Sequence, residues 1–183
     1  MANVPNYNAN NISIGPGIIY IGAAGTTPSV DVGAISEDGI EITVSQEFLE
    51  VFQGSPKQRI IQFKTDESIE FTATGIEWDL IKLATALGAG VTTSSGTLDT
   101  FAFGGDPDTD QVAVLIQHTL PSGHTISISI WKAQASGEWS LSLAQDELST
   151  FPYSFRGLVA TVNWGNEALP VGQQLFRITR QKA

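Results

Sequence analysis

The sequence predicts a mainly β protein, a β-sandwich or barrel with one flanking α-helix. Short runs of alternating apolar and polar residues recur along the chain, as in strands that bury one face. Turn-forming residues such as glycine, proline and asparagine separate these runs. One segment has the periodicity of an amphipathic helix. A single helix among many strands is not half of an α/β fold, so we expect it to cover a sheet edge or an open end of the sandwich.

The strands are predicted from this alternation. In residues 39–44, for example, Ile40, Ile42 and Val44 fall on one face. Residues Leu120–Gly123 predict a hairpin loop between two later strands. The predicted strands are 17–21, 39–44, 60–63, 68–74, 100–103, 111–119, 125–132, 138–143, 158–164 and 174–180.

The helix is predicted over residues 76–88. Thr74 and Glu77 have the spacing of a capping box, with Thr74 as the N-cap. Either Gly88 or Gly90 can end the helix in a left-handed conformation. The apolar stripe that faces the sheet consists of Leu80, Leu83, Ala84 and Leu87.

The chain length predicts one domain with a substantial core. The 183 residues favour a single domain, and residues 14–183 are assigned to one β domain. Residues 1–13 are rich in asparagine and alanine and lack periodicity, so they predict a flexible N-terminal arm.

The composition argues against several classes of function and of site. The formal net charge is -10, which disfavours adhesion to nucleic acid or to anionic membranes. The chain has no cysteine, which excludes disulfides, thiolate metal sites and cysteine nucleophiles. No apolar run approaches the roughly 20 residues of a membrane helix, so no membrane partner is expected.

No constellation of catalytic or metal-binding residues stands out. His118 and His124 flank the hairpin loop, but no third ligand is near them in sequence. Residues 106–110 have the D-x-D-x-D spacing of a calcium loop, yet Gln111 and Gln117 stand where glycine and glutamate are required. We therefore expect no enzyme activity, no metal and no cofactor.

The four tryptophans leave a second hypothesis open, a carbohydrate-binding or cell-surface-binding β-sandwich. Such a module would expose Trp131 or Trp139 as a platform for a sugar ring. The alternative is that these residues pack inside the sheet or at subunit contacts, as large aromatic side chains on strands usually do.

One segment predicts an interaction surface. Residues 46–58 are interpreted as a long loop, in which Phe48, Leu49, Val51 and Phe52 precede a Gly-Ser-Pro break. On a monomer these side chains would form an exposed apolar patch, and such patches mark interfaces. Repeated head-to-tail contacts generate rings and filaments. The alternative is that the segment packs on its own domain.

The order of several segments resembles the major tail tube proteins of long-tailed, siphophage-type bacteriophages. The stretches that carry the resemblance are ISIGPGIIYIG, EFLEVFQGSPKQRIIQFKTDESIEFTATG and EWDLIKLATALGAG, all within residues 1–90. From Val91 onward only the rhythm of strands is similar.

The resemblance implies that subunits close into rings, typically hexameric, which stack into a hollow tube in the virion after assembly in the host cytoplasm. The tube would hold the tape measure protein, conduct DNA without binding it specifically, and contact tail terminator and distal initiator proteins. The loop of residues 46–58 would reach a neighbouring ring, with residues 1–13 and 176–182 as further stacking elements.

The residues expected at contacts between subunits are Phe48, Leu49, Val51, Phe52, Gln53, Pro56, Lys57, Arg59, Arg177 and Arg180. Their basic members are expected to pair with acids of neighbours, such as Glu47 and Glu50. Candidates for an acidic lumen lining are Glu41, Asp66 and Glu70, although an ordinary solvated face is the alternative.

Overall fold

A computed structural model describes residues 12–105, 108–137, 140 and 148–181. Within these residues the chain is mainly β, with one short helix, so the expected fold class is confirmed. The elements are β1 (Ile18–Ala23), β2 (Val30–Asp31), β3 (Ile35–Gln53), β4 (Gln58–Gly75), α1 (Leu80–Leu87), β5 (Val91–Ser95), β6 (Leu98–Ala102), β7 (Gln111–Thr119), β8 (Thr125–Ala135), β9 (Phe151–Gly157) and β10 (Phe176–Gln181).

Eight strands form one antiparallel sheet in the order β2-β1-β7-β8-β9-β4-β3, with β10 also paired to β8. Strand β8 links the two parts of the sheet, because two strands pair with it one after the other along its length. Residues Thr125–Ile130 pair with β10, and Ala133–Ala135 pair with β9. The strands on either side of this division contribute to one core, an arrangement consistent with a β-sandwich. Strands β5 and β6 form a separate hairpin.

The core is built from the inward faces of the long strands. Phe71 of β4 and Phe155 of β9 stack with ring centroids 4.9 Å apart. Ile19 and Ile130 approach from β1 and β8, and both are fully buried. Burying one such side chain contributes roughly 1.5–3 kcal/mol. This core fixes the positions of β3 and β4, whose outer parts form the candidate site.

The helix is shorter than expected, and its N-cap lies elsewhere. Thr74 is still in β4, where it pairs with Pro152, so the predicted capping box is wrong. Asp79 is the N-cap and accepts hydrogen bonds from the Ile81 and Lys82 N–H groups, at 3.0 and 3.1 Å. The sheet pairing of β4 with β9 overrides the local capping pattern. The prediction of Gly88 at the C-terminus is confirmed, because it adopts a left-handed φ of 56°.

Glu77 joins the helix to the loop before β3. Its carboxylate accepts a hydrogen bond from the Ala34 N–H at 3.1 Å and forms an ion pair with Lys82 at 3.2 Å. The Ala34 N–H and then the Lys82 ammonium lower the pKa of Glu77. The helix is therefore held at the end of the sheet by its N-terminal turn as well as by its apolar face.

Several strand predictions need correction. Segments 60–63 and 68–74 belong to one continuous strand, β4. The predicted strand 158–164 is wrong, because β9 ends at Gly157 and residues 158–175 instead cover the outer face of β8. Neither β5 nor β9 was expected. Strand 138–143 falls on residues that lie outside the described part of the chain, apart from Ser140, which is in no strand.

Gly75 is expected to be intolerant of substitution. A Cβ atom at this position would lie 2.5 Å from Cε2 of Tyr153, which is only 3% exposed and cannot swing away. We predict that Gly75→Ala lowers the free energy of unfolding by roughly 1–3 kcal/mol through overpacking. Gly165→Ala is the control, because its Cβ would meet only Asn163 Oδ1, at 3.4 Å. Equal urea midpoints for the two variants would contradict this packing.

We also predict that ionisation of Tyr153 lowers the stability of the fold at alkaline pH. Burial, together with the charges of Glu77 and Asp79, raises the pKa of Tyr153 to about 12. A phenol in the unfolded chain titrates near 10. The stability that the neutral phenol contributes is therefore complete below about pH 10 and is lost as the pH rises toward about 12. The free energy of unfolding, measured with urea across this pH range, should fall more steeply for the unmodified protein than for Tyr153→Phe. Parallel curves for the two proteins would contradict this role of Tyr153.

Candidate assembly interface

Strands β3 and β4 continue past the body of the domain as a two-stranded ribbon, defined here as residues 44–67. Strand β9 pairs with β4 only along Glu70–Gly75, and Ile69 is the last buried residue of β4 before the ribbon. Every ribbon residue is exposed except Glu50, which is half-buried. The outer parts of both strands therefore lack a third strand and a covering layer among the described residues.

The expected loop at residues 46–58 is largely strand. Residues up to Gln53 belong to β3 and Gln58 begins β4, so only Gly54–Lys57 form the turn. The Ser55–Pro56 peptide bond in this turn is cis. Aromatic and β-branched side chains occur on both sides of the turn, and such residues favour paired strands. The apolar residues could be identified from the sequence, but the strand that they belong to could not.

One face of the ribbon carries a continuous apolar patch. Leu49 lies opposite Phe63 and Val51 lies opposite Ile61 in the antiparallel register. Cross-strand partners point to the same face, so these four side chains are neighbours. Leu49 is 58% exposed and Phe63 is 52% exposed. We call these four residues the apolar patch.

The opposite face of the ribbon alternates aromatic rings with ion pairs. Phe48 and Phe52 lie on this face and are about half exposed. Between and beside them, Arg59 contacts Glu50 at 2.7 Å. A second pair, Lys64 with Glu67 at 2.7 Å, lies nearer the body, and the Lys64 ammonium lowers the pKa of Glu67. These exposed pairs contribute little stability but fix the side chains between the rings. Arg59 was predicted to pair with an acid such as Glu50 of a neighbouring subunit. It instead contacts Glu50 of its own chain.

The acidic candidates share the face of the apolar patch, closer to the body. Glu41 lies opposite Thr72, Glu70 lies opposite Thr43, and Asp66 lies opposite Glu47, all on the face away from the core. The outward face of β3 and β4 therefore changes from acidic near the body to apolar toward the turn.

On the other side of β4, Arg156 of β9 is the cross-strand neighbour of Glu70. A cation thus stands beside one of the candidate lumen acids.

The remaining basic candidates lie away from the ribbon. The Arg177 guanidinium stands over the Trp131 ring, 5.0 Å from its centroid. Arg180 lies opposite Ile126 in the pairing of β10 with β8. Lys57, Pro56 and Gln53 lie at or beside the turn of the ribbon and are exposed. The structure therefore brings the β3 and β4 candidates together but does not bring the two β10 arginines to them.

Ile61 and Phe63 were not recognised as interface candidates from the sequence. They stand on β4, beyond the Gly-Ser-Pro break, and become part of the patch only through the antiparallel register. Folding the segment about that break would have paired Val51 with Ile60 and Leu49 with Gln62, because the register shifts by one residue between Phe52 and Val51.

Trp131, one of the two tryptophans expected to form an exposed platform, is not exposed, whereas Trp78 is half-exposed. Trp131 is 3% exposed, and its Nε1–H donates to the Gln173 carbonyl at 2.9 Å. Trp164 packs edge-on against it, with ring centroids 4.9 Å apart. Trp78 packs edge-on against Phe151. Trp139 lies outside the described residues. A sugar cannot stack on Trp131 in this arrangement.

The histidines also take part in local contacts. His118 Nε2 lies 2.7 Å from Ser13 Oγ, and His118 Nδ1 donates to the Pro16 carbonyl at 3.1 Å. Among the described residues no group of three or more histidine, aspartate or glutamate side chains could hold a metal ion. In the same part of the chain no helix is long and apolar enough to span a membrane. Most of the expected N-terminal arm lies outside the described residues, which begin at Ile12.

A cleft of about 760 Å³ lies between the first half of β3, the end of β7 and the start of β8. Isoleucines from β3, β7 and β8 form its floor, and Glu37 and Asp38 stand among its lining residues. This seam cleft separates the inner faces of the two halves of the sheet.

Comparison with known proteins does not assign the chain to a family. No protein-family model matches it. No curated protein sequence matches it either.

The ribbon should contribute little to the stability of the isolated monomer. Leu49→Ser/Phe63→Ser removes an exposed cross-strand pair, which is worth about 1 kcal/mol or less. Ile69→Ala instead empties a fully buried site and should cost about 2–5 kcal/mol. Urea unfolding in dilute solution measures both. A loss for the double variant as large as for Ile69→Ala would mean that the patch serves the domain's own core.

Proposed function

We propose that this protein is a structural subunit that assembles with copies of itself into stacked rings, forming the hollow tail tube of a long-tailed bacteriophage. The observation that carries the proposal is the ribbon, which presents large apolar side chains on both faces with no layer of the described domain above either one. An interface is the physical function that such a surface serves best.

The ribbon would favour non-specific association unless another molecule covers it. Among the residues that the structure describes, β3 has no neighbour on its outer edge, and β4 loses its neighbour where β9 stops at its pairing with Glu70. Unpaired edges together with exposed apolar faces favour association with other chains. In a subunit that functions only as part of an assembly, neighbouring subunits cover the unpaired edges and the apolar faces. This supports self-association as the function of the segment.

The acidic outward face at the base of the ribbon fits a conduit for DNA. Its acids are Glu41, Glu47, Asp66 and Glu70, on the side of β3 and β4 that faces away from the core. Negative groups repel phosphates, whereas a basic lining would retain DNA by counterion release. In the proposed tube this face turns to the lumen, which holds the tape measure protein before the genome passes.

The proposal assigns no catalytic step, metal or cofactor to the protein. Its partners are further copies in a ring, taken as hexameric from the resemblance, with terminator and initiator proteins at the two ends of the tube. Its place is the virion, after assembly in the cytoplasm of a bacterial host. A carbohydrate-binding module is less well supported, because Trp131 is buried under residues of its own chain.

Two double substitutions test the ribbon, one for each face. Leu49→Ser/Phe63→Ser and Phe48→Ser/Phe52→Ser each remove two large apolar side chains from a contact. Full burial of one such side chain is worth roughly 1.5–3 kcal/mol, so the concentration needed for assembly should rise on the order of 100-fold or more. Turbidity and pelleting across a concentration series measure this.

Ser45→Ala/Thr65→Ala is the matched control, since both residues are exposed polar positions of the same ribbon. It should assemble as the unmodified protein does. Unchanged assembly of both apolar variants would remove the basis of the proposed function.

A further inference from the structure

Two strand edges have no partner strand among the residues that the structure describes. Strand β3 is the last strand of the main sheet order and pairs only with β4. Strand β10 pairs only with β8, through Phe176–Gln181. A strand edge presents backbone N–H and C=O groups that can pair with a strand of another chain. Each of these edges is therefore a surface to which a further strand can be added.

The two edges are similar in length and regular in pairing. The register of β3 with β4 is continuous from Ile40 to Glu47, and register shifts interrupt it on either side of this segment. Strand β10 has six residues, all of them paired with β8 in an unbroken register. Proline, which protects edge strands against further pairing, occurs in neither segment.

The apolar sides of the two edges match each other. In β3, Ile40 and Ile42 pack against the core, and Val44, the next residue on that side, is 46% exposed. In β10, Ile178 lies opposite Ile128 of β8, which also packs against the core. Ile178 is nevertheless 59% exposed. A strand added to either edge would place its own apolar side chains beside these residues.

The two edges also carry opposite charges. The β3 segment 40–47 contains two acids, Glu41 and Glu47, and no cation. Neither acid forms an ion pair within the described part of the chain. Strand β10 contains two cations, Arg177 and Arg180, and no acid. All four side chains are exposed, so their charges act on any strand that approaches.

The neighbouring strands keep this difference in sign. Along residues 66–73, which pair with the β3 segment, β4 adds three acids and no cation. Lys64, which pairs with one of them, and Arg156, the cross-strand neighbour of another, offset two of these acids. The β3 edge therefore keeps an excess of acids. Residues 125–130 of β8, which pair with β10, carry no charge, so the β10 edge stays basic.

We propose that β10 of one copy pairs along the outer edge of β3 in a second copy, at residues 40–47, so that the sheets of neighbouring subunits join. Pairing of β3 with β3, or of β10 with β10, would bring like charges together, which is destabilising. Pairing of β10 with β3 brings opposite charges together. It is a head-to-tail contact, which leaves one edge of each kind free for further copies. This inference rests on the proposed self-assembly and assigns a contact between neighbouring subunits.

Reversal of the charges on each edge tests this pairing. The β10 variant is Arg177→Glu/Arg180→Glu, and the β3 variant is Glu41→Arg/Glu47→Arg. In each variant alone, charges of one sign meet at every contact. The protein concentration needed for assembly should therefore rise on the order of 10-fold or more. In an equimolar mixture, the acidic β10 of one variant meets the basic β3 of the other, and the unmodified edges also match, so assembly should recover.

The matched control is one chain that carries all four substitutions. It has the net charge of the unmodified protein and again places opposite charges across the contact, so it should assemble at about the unmodified concentration. Thermal unfolding in dilute solution verifies that each variant folds, and sedimentation velocity across a concentration series measures assembly. Arg177→Gln/Arg180→Gln takes the place of the β10 variant where charge reversal prevents folding, and it should show a smaller loss of assembly.

Hydrogen–deuterium exchange of the unmodified protein tests the backbone pairing itself. Ladder hydrogen bonds formed between copies should slow amide exchange within residues 40–47 and 176–181, on the order of 10-fold or more relative to the dilute monomer. A contact made by side chains alone would leave the amides of both edges unchanged.

Normal assembly of both charge variants, together with failure of the ribbon variant Leu49→Ser/Phe63→Ser, would overturn this inference and leave the proposed function in place. Failure of both the mixture and the chain with four substitutions to assemble would overturn it as well, as would unchanged amide exchange at both edges. An unmodified protein that never associates would overturn the proposed function itself.

Discussion

The structure depends on where β9 stops. Along Glu70–Gly75 strand β4 lies between β3 and β9, and its inward side chains enter the core. At Gly157 the chain leaves the sheet and crosses to the outer face of β8, where it covers Trp131. Strands β3 and β4 continue without it, so their apolar side chains have no partner in the described domain. One strand end thus divides β4 into a part that folds the monomer and a part that is free for association.

The distribution of charge follows the same division. The body of the domain carries most of the acids, including those on the outward face of β3 and β4. The ribbon itself is close to neutral, with three cations and four acids, although the chain as a whole is strongly acidic. Free monomers therefore repel one another through their net charge, which the near-neutral ribbon contributes little to.

The sequence predicted those parts of the fold that depend on local periodicity. Alternation revealed the cores of β3, β4, β7 and β8, and the apolar stripe revealed the helix. Local patterns failed where sheet pairing decided the outcome. Thr74 has the right neighbours for an N-cap, but its place in the ladder beside Pro152 keeps it in β4. The segment 158–164 alternates like a strand, yet its Ala160 and Trp164 pack against Trp131 and the segment does not join the sheet.

Only part of the candidate site could be predicted from the sequence, for a related reason. Phe48, Leu49, Val51 and Phe52 are unusual in any loop, so their exposure could be anticipated from the sequence. Their partners Ile61 and Phe63 could be identified only once the register across the turn was known.

Negative-stain electron microscopy of the unmodified protein, concentrated at near-physiological salt, tests the central claim most directly. The account predicts stacked rings or hollow tubes whose number increases with protein concentration, because the ribbon is buried only in an assembly. Uniform particles of monomer size at every concentration would contradict it, and the exposed ribbon would then need an explanation other than self-assembly.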